Sequence, residues 1–356
     1  MRDLGNSDPL TRDSLFRITS MTKQITAVAT LMLVEDHRLR LDEAVDKWLP
    51  ELANRKVLKH VNGPIDETVS AYRAITIEDL LTCRMGTGMV LGTPDEYLIL
   101  KAIEEAGIVG FGAPEPLAPH SPDEWIRRLG ELPLMHQPGE EWMYNTCFYV
   151  LGVLIARVSG LPLEAFLKER IFDPLGMKDT GFSVSPSQLS RLTSCYYFNS
   201  EIGELELADD RGNSQWGSPP IFPDAGAGLV STIDDYFAFA KMLLNGGKID
   251  RLQRLLSKSS VDRMTRDHLT PIQKQRSSLY PGQWDQHGYG LGVSVVTEPG
   301  SETGYVGEYG WDGGYGSSWR TDPLEKRIGI IFTEQTFDAP SLPAVCRDFW
   351  TAAYQR

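Results

Sequence analysis

Residues 15–23 read Leu15-Phe16-Arg17-Ile18-Thr19-Ser20-Met21-Thr22-Lys23. This segment sets a serine hydroxyl and a lysine amine three positions apart, and residues at that spacing lie about one turn apart on the same face of a helix. Apolar residues continue a helical pattern at i, i+3, i+4 and i+7, namely Ile25, Val28, Ala29 and Met32. The pattern predicts a helix that is capped by Thr19 or Ser20 and ends near Asp36.

Ser20 and Lys23 have the residue types of a nucleophile and its base. A serine hydroxyl is a poor nucleophile at neutral pH unless a base lies within hydrogen-bond reach, and a lysine amine can serve where its surroundings favour the neutral form. At a helix start, the positive end of the dipole and a free backbone N–H can also stabilise an oxyanion. The spacing alone is weak evidence, because chance supplies roughly one S-x-x-K in a chain of this length. A capping serine followed by a solvated lysine is the alternative.

Other catalytic motifs are absent from the sequence. It contains no G-x-S-x-G, H-E-x-x-H, P-loop or G-x-G-x-x-G pattern, and its six histidines show no metal-ligand spacing. A histidine triad assembled in space stays open, since triads are not recognised by sequence position, but nothing in the sequence supports it. We therefore predict neither a metal nor an organic cofactor.

The charge balance narrows the range of partners. The chain of 356 residues has 35 Lys and Arg against 48 Asp and Glu, a formal net charge of −13. This excess of negative charge argues against nucleic acid and against anionic membranes as partners. No apolar run approaches the ~18 residues of a membrane span, and residues 1–14 are too polar for a signal peptide. The four widely spaced cysteines favour free thiols, so we predict a cytoplasmic protein.

Helical patterns fill the middle of the chain and strand patterns fill its last quarter. Helices are predicted over residues 147–158, 163–170 and 233–244, and a closing helix over 341–354. Short segments rich in β-formers predict an antiparallel meander over residues 289–296, 314–320 and 327–333, with a turn at 321–323.

The wider sequence resembles the serine β-lactamase-related family, which includes class C β-lactamases, D,D-peptidases and a group of esterases. The resemblance starts at residues 15–23 and continues in the family's order through nearly the whole chain, at residues 41–43, 48–50, 75–82, 137–140, 174–177 and 226–232. It implies that Ser20 is the nucleophile and Lys23 the base. It also implies an α/β (α+β) fold of the β-lactamase/transpeptidase type, in which an antiparallel sheet is flanked by helices. Residues 1–75 together with 275–356 would form the α/β region, residues 76–274 a mainly helical region, and the active site would lie between them.

The family's second motif is Tyr-x-Asn, shortly after a Pro-Gly-Glu segment. Here that segment leads into Tyr144-Asn145-Thr146. The resemblance makes Tyr144 the acid/base partner that relays a proton to the leaving group; a buried core aromatic is the alternative. Thr146 stands where the family has an asparagine whose side-chain amide contacts the substrate. That contact would be made by Thr146 instead or be supplied by the neighbouring Asn145. A literal Tyr-x-Asn at residues 197–199 lies in the wrong context and is interpreted as structural.

The family's third motif is usually Lys-Thr-Gly or His-Thr-Gly on a strand, and here it reads Trp311-Asp312-Gly313. Glycines let a substrate lie against the strand edge, and the N–H of Gly314 would join that of Ser20 in an oxyanion hole. A glycine-rich hairpin turn is the alternative. In β-lactamases and peptidases of the family, the cationic or imidazole residue helps to hold a substrate carboxylate. Trp311 cannot do so and Asp312 would repel one, so an apolar platform for a neutral group is expected.

The sequence thus predicts a carboxylesterase that hydrolyses small neutral esters through an acyl-enzyme on Ser20. Asn145, Thr146, Trp311, Asp312 and Gly313 are the predicted substrate-binding residues. A β-lactamase or D,D-peptidase-type amide hydrolase is one alternative. A penicillin-recognition-type binding protein that turns over nothing is another, since residue 146 and the third motif both depart from the family pattern.

The segment before the nucleophile is short for this family, whose members carry a helix and two strands there. Only 19 residues precede Ser20, and residues 1–5 resemble the end of the second of those strands. Either the start is truncated or the sheet is completed differently, for instance by a second subunit on an exposed edge. We expect a reduced sheet without the first two family strands and, as one way to cover its edge, a homodimer.

Overall fold

Helices occupy the middle of the chain and a sheet its last quarter in the computed structural model, which describes residues 2–4, 8–111, 114, 117–300, 304–337 and 342–354. The helices are α1 (Thr22–Glu35), α2 (Ile77–Leu81), α3 (Leu98–Glu105), α4 (Pro122–Glu131), α5 (Thr146–Ser159), α6 (Leu163–Leu167), α7 (Asp173–Leu175), α8 (Ile233–Leu244), α9 (Lys258–Met264), α10 (Pro271–Arg276) and α11 (Ala344–Tyr354). The strands are β1 (Phe16–Arg17), β2 (Lys56–Leu58), β3 (Thr68–Ser70), β4 (Cys195–Asn199), β5 (Glu204–Asp209), β6 (Val230–Ser231), β7 (His287–Tyr289), β8 (Ser294–Val296), β9 (Tyr309–Gly313), β10 (Ser317–Asp322) and β11 (Arg327–Phe332).

Helix α1 is the central helix of the fold. Every residue from Thr22 to Leu33 is buried, so the helix contacts the core on all sides rather than along one apolar face. A 3₁₀ turn over Thr19–Met21 precedes it, and no side chain caps either element. The predicted cap by Thr19 or Ser20 is therefore wrong. The predicted end of the helix is confirmed to within one residue, since α1 ends at Glu35.

The other predicted helices are present with small shifts. Helix α5 ends at Gly160, whose φ of +75° is the left-handed conformation that favours glycine at a helix end. Helix α6 continues through a π-helical turn over Lys168–Phe172 into α7. Helix α8 has the predicted bounds, and the Thr232 hydroxyl at its start accepts a hydrogen bond from the backbone of Asp235. Helix α11 begins at Ala344, so the described residues 342–343 of the predicted closing helix are not helical; Ser341 lies outside the described residues.

The predicted antiparallel meander is confirmed and has five strands in the order β11-β10-β9-β8-β7. The predicted strand over residues 289–296 is divided between β7 and β8, because the chain turns at Gly292 with a φ of +80°. The predicted strand over residues 314–320 begins three residues later, as β10, and forms a hairpin with β9. Strand β10 runs through Asp322, so the predicted turn begins later than expected, after that residue.

The two faces of the sheet differ. On one face, α8 packs on β10 and β11, and Trp319 lies edge-on against Tyr236. On the other face, α11 packs on β11, and the Trp350 indole N–H donates to the Ser318 hydroxyl. The fold therefore leaves one end of β9 next to the 3₁₀ turn that carries Ser20.

The part of the chain ahead of Ser20 adds no strand to this sheet among the described residues. Strand β1 pairs with β6 in a separate ladder, and Arg2–Leu4 forms no strand; Met1 and Gly5 lie outside the described residues. Residues 287–332 nevertheless supply five strands, the number we expected of a complete sheet, so the expected reduction in strand number is wrong. The homodimer and the division into an α/β and a helical region stay predictions.

Within the described part of the chain, no single helix is long and apolar enough to cross a membrane. The helices Thr146–Ser159 and Leu163–Leu175 reach that length and hydropathy only together, across a 79° bend.

Candidate active site

Ser20 lies in a tight turn that the sheet holds in place. The preceding residue, Thr19, has a φ of +39°, which is strained for a β-branched residue. A Cβ added to Gly313 on β9 would stand 2.4 Å from the Ile18 carbonyl oxygen and 2.5 Å from the Thr19 hydroxyl. Only glycine lets the strand come this close, and the Ser317 hydroxyl adds a 3.0 Å hydrogen bond to the Ile18 carbonyl.

Lys23 lies directly beneath the nucleophile and is completely buried. Its Nζ donates hydrogen bonds to Ser20 Oγ at 3.0 Å and to the Gly226 carbonyl oxygen at 2.8 Å. It also stands 4.6 Å from the centre of the Tyr144 ring. The predicted base is therefore within proton-transfer distance of the predicted nucleophile, with its remaining contacts supplied by the protein.

Tyr144 completes this arrangement from the loop before α5. Its side chain is buried, and its hydroxyl donates to Ser20 Oγ at 2.8 Å. The Trp311 indole N–H donates to the same hydroxyl oxygen at 3.0 Å. Stacking on Trp142, with ring centres 5.6 Å apart, fixes the ring. The structure thus brings Tyr144 to Ser20 and Lys23 from a distant part of the chain.

The residues of the two predicted oxyanion donors, Ser20 and Gly314, line one cavity. No protein acceptor among the described residues takes up either backbone N–H. The Gly313 carbonyl, in the same peptide unit as the Gly314 N–H, accepts from the backbone N–H of Gly316 at 2.9 Å, and the Gly314 carbonyl accepts from that of Phe337. A Cβ at Gly314 would meet no atom within 4 Å, so its surroundings are open. Both N–H groups are available to a substrate carbonyl oxygen.

Asp312 differs from its predicted state. Its carboxylate accepts from both terminal nitrogens of Arg320, at 2.8 and 2.9 Å, and from the Ser318 hydroxyl at 2.5 Å. The negative charge is therefore paired and is not free to repel a substrate carboxylate, as the sequence suggested. The pair also occupies the Arg320 guanidinium, which faces the same cavity.

The structure does not support substrate contacts for two other predicted residues. Thr146 is completely buried, and its hydroxyl donates to the Gly110 carbonyl at 2.8 Å. Asn145 is also buried, with a φ of +91° and a side-chain oxygen that has no hydrogen-bond partner among the described residues. Neither residue lines the cavity at Ser20. The turn after Tyr144 directs both side chains into the protein.

The cavity at Ser20 has a volume of about 460 Å³, which is within the usual range for small-molecule sites. Tyr144, Trp284 and Trp311 form an aromatic wall near the nucleophile. The cavity continues over the outer face of the sheet, beneath α11, to polar groups that include His287, Glu308, Arg320 and Arg347. Burial lowers the pKa of His287 to about 4, so its imidazole is neutral at physiological pH.

One polar residue near Lys23 was missed by the sequence reasoning. Asp224 is buried, and its carboxylate accepts hydrogen bonds from the backbone of Gly226 and from the Tyr149 hydroxyl at 2.7 Å each. Burial raises the pKa of Asp224, while the Tyr149 hydrogen bond, any positive charge on the nearby Lys23 and the backbone N–H groups act in the opposite direction. The family match at residues 226–232 begins two positions after Asp224, and that proximity is the only signal the sequence offered.

Among the described residues, no group of three or more His, Cys, Asp or Glu side chains could hold a metal ion. The four cysteines are free and buried.

Relatives of known sequence or structure match nearly the whole chain. The chain is 39% identical over 342 residues to Protein Rv1367c of Mycobacterium tuberculosis, covering 95% of this chain and 81% of that protein. It is 30% identical over 356 residues to Esterase EstB of Burkholderia gladioli, covering 94% of this chain and 81% of the esterase. The solved structure of EstCE1, a hydrolase with promiscuous acyltransferase activity, superimposes with a TM-score of 0.79 at 24% identity, over 98% of this chain and 88% of that chain. The likeness to EstCE1 shows the fold.

These relatives, together with the predicted site residues brought together here, support activity of the serine-hydrolase type. The sequence model described as Beta-lactamase matches residues 1–345. The chain therefore belongs to the Beta-lactamase family and has its β-lactamase/transpeptidase-like fold, with an antiparallel sheet flanked by helices.

Proposed function

We propose that this protein is a carboxylesterase that hydrolyses small neutral esters through an acyl-enzyme on Ser20. The observation that carries the proposal is the contact of Ser20 Oγ with both Lys23 Nζ, at 3.0 Å, and the Tyr144 hydroxyl, at 2.8 Å. A nucleophile held between two groups that can exchange protons is the arrangement that covalent acyl transfer requires. The similarity to Esterase EstB points to the same chemistry.

In the proposed acylation, neutral Lys23 accepts the Ser20 proton while Oγ forms a bond to the ester carbonyl carbon. The N–H groups of Ser20 and Gly314 stabilise the oxyanion. The intermediate then collapses, the carbon–alkoxide bond breaks, and the Tyr144 hydroxyl gives its proton to the departing alcohol. The Lys23 ammonium returns its proton to Tyr144, and water hydrolyses the acyl-enzyme by the reverse relay.

The preference for neutral esters follows from the third motif. Trp311 stands at the position where the family resemblance led us to expect a cation or imidazole, and its indole forms part of the aromatic wall. The nearby Arg320 guanidinium is already paired with Asp312 through two hydrogen bonds. A substrate carboxylate beside the nucleophile would therefore have to compete with that pair, whereas a neutral group would pack on the indole.

The test compares short p-nitrophenyl esters with a chromogenic cephalosporin on the wild type, on Ser20→Ala and on Ser187→Ala, which changes an exposed serine. We expect ester hydrolysis by the wild type and Ser187→Ala, at least a ~1,000-fold loss in Ser20→Ala, and slower turnover of the cephalosporin. Mass spectrometry with a fluorophosphonate should show one adduct on Ser20. Ester hydrolysis that survives Ser20→Ala would refute the mechanism.

Two other results of the same assays would point to an amide hydrolase or to a binding protein instead. Faster turnover of the cephalosporin than of any ester would indicate an amide hydrolase. An adduct on Ser20 without repeated turnover would indicate a binding protein with a reactive serine. Either result would refute the proposed esterase.

A further inference from the structure

We propose that Asp224 is a positioning residue for Lys23. Its carboxylate fixes the turn whose Gly226 carbonyl binds the Lys23 amine, and its negative charge stabilises the protonated amine. The Tyr149 hydroxyl in turn fixes the carboxylate. Asp224 would thereby orient the base and stabilise its charged form without exchanging a proton with it. The inference rests on the proposed acyl-enzyme function and adds the group that orients its base.

The first observation is the turn that presents the carbonyl to Lys23. One carboxylate oxygen of Asp224 accepts from the backbone N–H of Gly226 at 2.7 Å and of Ala227 at 2.8 Å. The carbonyl of the intervening Ala225 accepts from the Thr26 hydroxyl of α1 at 2.7 Å. The turn is thus closed by Asp224 from one side and tied to α1 on the other. This fixes the Gly226 carbonyl oxygen at 2.8 Å from Lys23 Nζ.

The second observation is the support of the carboxylate itself. Its other oxygen accepts from the Tyr149 hydroxyl at 2.7 Å. The Tyr149 ring is stacked on Trp125 and Phe222, with ring centres 5.9 and 5.8 Å away. Both carboxylate oxygens therefore have donors, and the tyrosine that supplies one of them cannot turn away without breaking this packing.

The third observation is charge. During acylation the Ser20 proton moves to Lys23 Nζ, so a positive charge appears on a side chain that is completely buried. An ammonium in such a place is costly unless an anion compensates it. Asp224 is buried and interacts electrostatically with Lys23. Aspartate plays the corresponding part in Ser-His-Asp triads, where it orients the base and stabilises its charged form.

Two variants separate the charge from the hydrogen bonds. Asp224→Asn keeps an oxygen for the N–H groups of Gly226 and Ala227 and an NH₂ group facing the Tyr149 oxygen, but it removes the charge. Tyr149→Phe keeps the stacked ring and removes only the hydroxyl. We expect Asp224→Asn to lower kcat on a p-nitrophenyl ester about ten- to a hundredfold with KM within about twofold, and Tyr149→Phe to lower kcat less. The double variant should be no slower than Asp224→Asn alone, because Tyr149 acts through Asp224.

The matched control is Asp235→Asn. Asp235 is also a buried carboxylate that accepts from a backbone N–H, that of Asp179, and from a hydroxyl, that of Thr180. The control should lower the melting temperature as Asp224→Asn does but leave kcat unchanged. Equal kcat in Asp224→Asn and the control would overturn the inference. If Asp224→Asn does not fold, wild-type kcat in Tyr149→Phe would overturn it instead. Ester hydrolysis that persists in Ser20→Ala would refute the proposed function, which is a different result.

Discussion

The Trp311 indole N–H donates a hydrogen bond to the Tyr144 hydroxyl oxygen at 3.0 Å. That hydroxyl in turn donates to Ser20 Oγ at 2.8 Å, so the third-motif tryptophan is one hydrogen bond away from the nucleophile. A fixed N–H donor stabilises an oxygen that gains negative charge during proton relay. Trp311 therefore adds an uncharged donor to the proposed relay, besides the apolar surface that the sequence predicted.

Replacing this donor should slow the chemical step. Trp311→Phe keeps an aromatic ring in the cavity wall but removes the N–H, and we expect kcat for a p-nitrophenyl ester to fall about tenfold, as for the loss of a hydrogen bond to a charged group. Trp319→Phe is the control, since Trp319 faces Trp311 across the β9–β10 ladder but bonds to the Thr321 hydroxyl. Equal kcat in the two variants would show that the bond to Tyr144 has no part in the reaction.

The absence of a side chain at Gly313 should matter for both stability and activity. In Gly313→Ala the new methyl group would stand 2.4 Å from the Ile18 carbonyl oxygen, so β9 must move away from the nucleophile turn. We expect a loss of about 1–3 kcal/mol in the free energy of unfolding, as for other overpacked sites, together with a lower kcat. Urea denaturation and ester hydrolysis check this. Gly217→Ala, where a Cβ meets no atom within 4 Å, should unfold like the wild type.

The sequence predicted the parts of the site whose chemistry is local. Ser20 and Lys23 are one helical turn apart, so their contact needs only the 3₁₀ turn and α1 to form. The sequence could not show that Trp311 bonds to Tyr144 or that Asp224 lies near Lys23. Those contacts join residues far apart in the chain, and only the packing of β9, α5 and the loop before β6 brings them together.

Motif spacing also misled where the backbone is strained. Residue 146 occupies the place of the motif's asparagine, and the spacing predicted a side chain facing the substrate. The φ of +91° at Asn145 instead starts α5 in a direction that buries the Thr146 hydroxyl against Gly110. Residue preferences could not predict this conformation, because a positive φ is unfavourable for residues with a Cβ atom. The division of the predicted strand at Gly292 is a milder case, where a glycine in a β-rich segment marked a turn.

A buried ion pair behind the nucleophile turn should be important for stability. Arg17, three residues before Ser20, forms a salt bridge with Asp209 of β5, and both side chains are almost completely buried. Asp209→Asn leaves the guanidinium without its anion, and we expect a loss of about 3–5 kcal/mol in the free energy of unfolding. The exposed pair of Arg12 and Asp234 is the control, and Asp234→Asn should cause no measurable change in urea denaturation. If Asp209→Asn and Asp234→Asn lose the same free energy of unfolding, burial does not make the Arg17–Asp209 pair more important for stability than an exposed pair.

Glu334 should make the protein less stable as the pH rises. Burial raises the pKa of this carboxyl to about 7, and its Oε1 has no hydrogen-bond partner among the described residues. The folded protein therefore holds a proton that the unfolded chain releases near pH 4.5, so this group lowers the free energy of unfolding between about pH 4.5 and 7. Glu334→Gln removes the titration, and we expect no change at pH 4 and a gain of about 1–2 kcal/mol at pH 8, since solvent screens part of the effect at this half-buried carboxyl. Urea denaturation at pH 4, 6 and 8 checks this, with the exposed Glu298→Gln as the control. A gain of the same size at pH 4 and pH 8 would show that the substitution acts through packing, because only an ionising carboxyl gives a difference that grows through this range.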